Sequence, residues 1–132
     1  MGKYFTVAEL TASATANSRG IDNTPPPATK VKINTLINNV LDPVRHMWGG
    51  PIRVNSGFRS PELNKAVGGV PSSQHQSGEA ADITVGSPEK NKKLFDMIAA
   101  SDIPFDQLID EKNYQWIHIS YKANGRRQIL HL

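Results

Sequence analysis

The sequence predicts an α+β fold: a small antiparallel sheet carrying the functional residues, flanked by helices. Two observations carry that expectation. Apolar residues recur at three- and four-residue steps from about Thr29 to Met47 and again after Pro88, which is the helical period. Short strand-like runs fall elsewhere, and three of them crowd into the last quarter of the chain as hairpin-like neighbours. Helices segregated in this way from strands do not suit an alternating parallel array. At 132 residues and 14.5 kDa the chain has the length of one domain, so residues 1–132 are expected to form a single unit.

The elements can be justified in order. Thr6-Val7-Ala8-Glu9 has capping-box spacing, so a short helix is expected to start at Val7. Thr11 to Asn23 is small and polar, and residues 1–27 read as an irregular arm with that one short helix. Pro25-Pro26-Pro27 stiffens the chain and delivers it to a helix. That helix buries Ile33, Leu36, Ile37, Val40, Leu41, Val44 and Met47, is kinked or restarted at Pro43, and ends at Gly49-Gly50.

Pro51 to Val54 reads as a strand, and Pro61 to Asn64 as a helical turn inside a stretch rich in Gly, Pro, Ser and Asn. Asp82 to Val85 is a strand. Ser87-Pro88 caps a helix that buries Leu94, Phe95, Ile98 and Met97. Phe105 to Ile109, Trp116 to Tyr121 and Gln128 to Leu130 complete the strands.

Composition narrows the chemistry. The absence of cysteine excludes a disulfide scaffold, a thiol nucleophile and any thiolate metal site, so a metal here must be held by His, Asp or Glu. The only histidines are His46, His75, His118 and His131. The net charge of +3 is dispersed, which suits a solvated surface better than a nucleic-acid footprint. No segment approaches the roughly 20 apolar residues of a membrane span. MGKYFTVAEL lacks the apolar core of a secretory signal, so synthesis in the cytoplasm is expected.

The informative segment is Ser73-Gln74-His75-Gln76-Ser77-Gly78-Glu79-Ala80-Ala81-Asp82. Strand alternation sets Ala80, Asp82 and Thr84 on one face, against Ala81, Ile83 and Val85 on the other. In Trp116-Ile117-His118-Ile119-Ser120-Tyr121, His118 shares a face with Trp116 and Ser120, away from the core. A carboxylate opening an apolar strand needs a partner, since burying it alone costs several kcal/mol. Two strands and a loop thus offer His, His and Asp, the type of set that holds a catalytic zinc with one position open. The same spacing also fits a plain Asp–His hydrogen bond beside unrelated surface histidines.

The stretch Val54-Asn55-Ser56-Gly57-Phe58-Arg59-Ser60-Pro61-Glu62-Leu63-Asn64, then Val67-Gly68-Gly69, then Ser73-Gln74-His75 through Asp82, then Trp116-Ile117-His118-Ile119-Ser120, resembles the zinc D-alanyl-D-alanine carboxypeptidases of the Hedgehog/DD-peptidase fold. Upstream, Phe5-Thr6 and Gly20-Ile21-Asp22-Asn23-Thr24-Pro25 extend it over nearly the whole chain. The resemblance implies a zinc ion held by His75, Asp82 and His118. It implies that Arg59 contacts a substrate carbonyl or carboxylate, and that Ser73 and Gln74 line the cleft. Trp116 is a candidate for stacking on substrate or for the rim of the core. Arg59 also suits a structural tie across its Gly/Pro-rich loop, and Gln74 a loop-stabilising one.

One position departs from the pattern. Several relatives carry Glu or Asp three residues before the last histidine ligand, as the base that activates water. Here that residue is Gln115, which takes no proton at neutral pH. Glu111 and Asp110 are the substitutes, with Glu111 favoured; both also read as turn residues of a hairpin. His46 reads as a complement to a helix C-terminus, His131 as a solvated terminal residue, and Glu79 as exposed.

By that resemblance the chain is a monomeric zinc metallopeptidase acting on peptidoglycan stem peptides, without nucleic-acid partner or membrane insertion. It would trim terminal D-alanine or cut within the stem as small phage lysins do, and a phage or prophage product reaching the cell wall is expected. The competing reading is a non-catalytic zinc-containing wall-binding module, which the Gln115 departure favours. Nucleic-acid binding rests on charge alone and ranks last.

Overall fold

The computed structural model describes residues 4–132; the first three residues of the predicted arm lie outside them. Helix α1 (Val7–Thr11) starts where the capping box puts it, with Thr6 Oγ1 accepting from Glu9 N at 3.2 Å. The rest of the arm is more ordered than its composition suggests. Ser13 caps a second helix, α2 (Ala14–Arg19), which Gly20 closes in the left-handed conformation. Asn23 then fastens the arm to the loop after the first strand: its amide donates to Thr11 O and Phe58 O, and its Oδ1 accepts from Ser60 N at 2.7 Å.

Helix α3 (Pro27–Leu36) runs without a break into a π-helical segment, Ile37–Leu41, and then α4 (Asp42–Trp48). Pro43 is the physical cause. It has no N–H for the carbonyl four residues back, so the ladder widens by one residue and Asp42 N bonds Ile37 O. The predicted interruption is therefore a widened turn within a continuous helical run. It lets Ile33, Leu36, Ile37, Val40, Leu41 and Val44 all stay buried. Helix α5 (Pro61–Ala66) is capped by Ser60, and α6 (Pro88–Ala99) by Ser87. Leu94, Phe95 and Ile98 of α6 are buried, while Met97 is only half-buried.

The strands are β1 (Arg53–Ser56), β2 (Ala80–Thr84), β3 (Gln107–Glu111), β4 (Trp116–Ser120) and β5 (Gln128–His131), in the order β1-β2-β4-β3-β5. The architecture is α+β, as predicted, but the sheet is mixed. The first four strands pair antiparallel, whereas β5 returns to lie parallel to β3. One face carries Ala81, Ile83, Leu108, Ile117 and Ile119 into a core shared with α3, α4 and α6. Apolar residues at alternate positions put the intervening side chains, among them Asp82 and His118, on the opposite face.

That opposite face is not uniformly open. Ser120 is fully buried, because its Oγ accepts from Gln107 N at 3.0 Å across the β3–β4 pair. A buried Asn91 fixes the far end of that hairpin. Its amide donates to the carbonyls of Tyr114 and Gln115, and its Oδ1 accepts from Val85 N. The turn needs such support, since Lys112, Asn113 and Tyr114 are all left-handed.

Gly57 is the tightest joint between arm and sheet. A Cβ there would lie 2.3 Å from Leu10 O, which accepts from Phe58 N. Gly57→Ala is therefore expected to cost about 1–3 kcal/mol, the usual cost of overpacking, in urea unfolding. An unchanged unfolding midpoint would show that the arm moves aside freely.

Candidate metal centre

Three side chains converge on the face opposite the helices. His75 comes from the turn before β2, where Ser73 Oγ accepts from its backbone N–H and its own carbonyl accepts from Arg59 N. Asp82 and His118 are direct neighbours across the β2–β4 pair. His118 Nδ1 is 3.0 Å and His75 Nε2 3.3 Å from Asp82 Oδ1, and the two imidazole centroids are 5.1 Å apart. One donor atom from each residue lies within 4.8 Å of the others.

The donor set suits a zinc ion. His75 is 3% exposed, and its Nδ1 donates to Gly57 O at 2.7 Å, which turns Nε2 toward Asp82. Burial alone would raise the pKa of Asp82. Hydrogen bonds to His118 and His75, with their charge, outweigh it and hold the carboxyl well below the usual range. Two buried-side imidazoles and one ionised carboxylate make a mixed N/N/O set that leaves a fourth position free.

Arg59 lies against the same carboxylate, its Nη2 3.6 Å from Asp82 Oδ2. Its Nε donates to Ser56 Oγ and its Nη1 to Asn64 Oδ1, so it also braces β1 against α5. Asn64 is itself buried and donates to Val70 O, tying in the loop that borders the cleft. The structural tie read for Arg59 is thus present, and the residue borders the cleft as well.

That cleft has a volume of about 310 Å³, and its walls include Arg59, Ser73, Glu111 and Trp116 around the three donors. Glu111 stands beside Trp116 in the β3–β4 register, on the face that carries His118. Asp110 points the other way, is buried, and pairs with His131 Nδ1. His131, expected to be simply solvated, is exposed but held by that pair, 5.5 Å from the Phe95 ring. Gln115 is exposed and does not border the cleft. Trp116 lines it with its ring, and its Nε1–H is buried without a partner among the described residues.

A second hollow of about 330 Å³ adjoins the first through Ser73, Glu111 and His118, and adds Gln74 and Arg126. A larger one, about 460 Å³, lies between α2, β1 and α5 but contains no carboxylate or imidazole. Donor chemistry, not volume, locates the site. His46 stays away from it, 3.4 Å from Tyr4 Oη, and Glu79 accepts from Ser77 Oγ behind it.

Sequence reasoning missed Asp106, which is fully buried and organises the second hollow. Gln74 Nε2 donates to it at 3.0 Å, and Arg126 donates from Nε, Nη2 and its backbone N. The Arg126 bonds, opposed by burial, hold the Asp106 carboxyl well below its usual range. A pKa lowered on folding stabilises the protein fully above the unfolded value of about 3.9, and that stabilisation is lost progressively as pH falls from there toward the lowered folded value. Asp106→Asn is accordingly expected to cost about 1–3 kcal/mol at pH 7 and much less near pH 2. Equal losses at both pH values, in paired urea titrations, would exclude an ionised Asp106 as the source.

Comparison with known proteins agrees with this geometry. The peptidase M15 family matches residues 3–120, a span that includes every donor. A zinc D-Ala-D-Ala carboxypeptidase from Streptomyces albus G is 40% identical over 85 residues, covering 63% of this chain. The chain spans 32% of that relative's length. With a match over most of its length, the chain belongs to the peptidase M15 family.

Proposed function

We propose that the chain is a zinc-dependent peptidase, acting as one domain, that hydrolyses peptide bonds in the stem peptides of bacterial peptidoglycan. The observation that carries this reading is the convergence of His75, Asp82 and His118 at a cleft that Glu111 also borders. The name of the Streptomyces albus G relative supports both the metal and the substrate class.

His75, Asp82 and His118 would hold the ion. When bound, zinc supplies a Lewis acid for the scissile carbonyl and lowers the pKa of water to about 7. The remaining work falls to this chain's own side chains. Glu111 takes the proton from the attacking water and returns it to the leaving amine, the role that Gln115 cannot fill. Arg59, fixed by Ser56 and Asn64, offers its remaining N–H groups to the oxygen that gains charge. Ser73 and Gln74 align the peptide along the wall, and Trp116 packs on it.

Gln115 keeps a second reading in play, a wall-binding module that holds zinc without turnover. Mass spectrometry of purified peptidoglycan after incubation with the zinc-loaded protein separates the two. New fragments that disappear with His118→Ala are expected, and their masses distinguish loss of terminal D-alanine from cleavage within the stem. An intact wall beside stoichiometric zinc would overturn the enzymatic reading.

A further inference from the structure

We propose that Arg126 is a carboxylate-binding residue of the cleft, and that Asp106 is the positioning residue that holds it there. The proposal rests on the peptidase reading for the identity of the ligand, a free carboxylate on the peptide. Arg126 lines the hollow that also contains His118 and Glu111, and it is the one Lys or Arg among the residues of that lining.

Its geometry is that of a mounted donor. Nε bonds Asp106 Oδ1 and Nη2 bonds Oδ2, each at 2.9 Å, while the backbone N–H of Arg126 bonds Oδ1 at 3.0 Å. This fork-to-fork pairing fixes the plane of the guanidinium. It uses one of the two hydrogens on Nη2 and neither hydrogen on Nη1. The three unused N–H groups point away from Asp106, because the fork is planar and its inner edge is occupied. Asp106 is fully buried, yet the Arg126 side chain is 52% exposed. A purely structural anchor would have no need of an open outer edge.

Gln74, which also lines the hollow, is set by the same carboxylate. Asp106 is an acceptor, so it takes Nε2 of Gln74 and turns Oε1 the other way. That Oε1 is buried and has no partner among the described residues. One buried carboxylate therefore orients a cation and an amide acceptor on one wall. A peptide terminus offers the complementary pair, a carboxylate and the amide N–H next to it. Arg59 borders the first cleft but not this hollow, and is already paired with Asp82 Oδ2 at 3.6 Å.

The test uses two peptides that differ only in a C-terminal carboxylate or carboxamide, with a third in which a side-chain carboxylate is amidated instead. Binding to the zinc-loaded protein is measured by calorimetry, and turnover separately. Arg126→Gln is expected to weaken binding of the carboxylate peptide roughly ten- to a hundredfold, the range for a charge-assisted pair, and to leave the matching amide unchanged. The loss should appear in KM more than in kcat. Arg126→Lys keeps the ion pair with Asp106 but not the outer fork, and should fall with Arg126→Gln while remaining folded. The third peptide shows whether the carboxylate read is terminal or on a side chain. Equal loss on all three peptides, loss in none of them, or full binding by Arg126→Lys would each overturn the proposal. Binding without turnover would count against the peptidase reading and leave the carboxylate site standing.

Discussion

Replacing His118 with alanine is expected to abolish stoichiometric zinc binding and to lower hydrolysis by about three orders of magnitude or more, the loss of several kcal/mol of transition-state stabilisation. The fold should survive. His118 lies on the face opposite the core, while its neighbours Ile117 and Ile119 remain fully buried and keep β4 in register. The clearest readout does not require activity. A ligand that binds only the folded state stabilises it by about 2.7 kcal/mol at a hundredfold excess over Kd. Zinc should therefore raise the melting temperature of the parent protein and leave His118→Ala unmoved. A variant that still binds one zinc with undiminished stabilisation would show that Asp82 and His75 hold the ion without it. Asp82→Ala is a poorer choice, since it would also leave His75 and Arg59 facing a lost partner.

The side of the sheet taken by Asp82 and His118 was legible in the sequence for a physical reason. Ala81, Ile83, Ile117 and Ile119 announce the buried face clearly enough to assign those two residues to the other, whereas His75 lies in a turn and joined them only through the resemblance. The caps at Thr6 and Ser87 were equally readable, because each acts within three residues of itself. What could not be read depends on distant partners. Helix α2 has almost no apolar signal and is set by its caps, Ser13 and Gly20. The parallel pairing of β5 follows from where the loop after β4 returns, which no local pattern encodes. Asp106 and Arg126 are twenty positions apart, and neither sits in a run that distinguishes it from surface charge. The choice between Asp110 and Glu111 required the register of β3 on β4, since adjacent residues in a strand face opposite ways.

That register supports the second large effect. Glu111→Gln is expected to reduce kcat by about 10²–10⁴, the usual contribution of a general base, with zinc content and melting temperature essentially unchanged. Asp110→Asn should do the reverse: it disturbs the pair of a buried carboxylate with His131, costs about 1–3 kcal/mol of stability, and leaves kcat alone. The contrast between adjacent carboxylates is what makes the experiment informative. Both lie in the same hairpin and carry the same charge, so a general change in local electrostatics would affect the two variants alike. Only the side of the sheet differs. Glu111 borders the cleft with His75, Asp82 and His118, whereas Asp110 is buried on the face that packs toward α6. If Asp110→Asn instead lost activity and Glu111→Gln kept it, the proton would have to leave by another route. Gln115→Glu, three residues before His118, would then be the substitution to examine. A gain of activity in that variant with Glu111 intact would mean that the chain had lost its base, and that its cleft serves binding more than turnover.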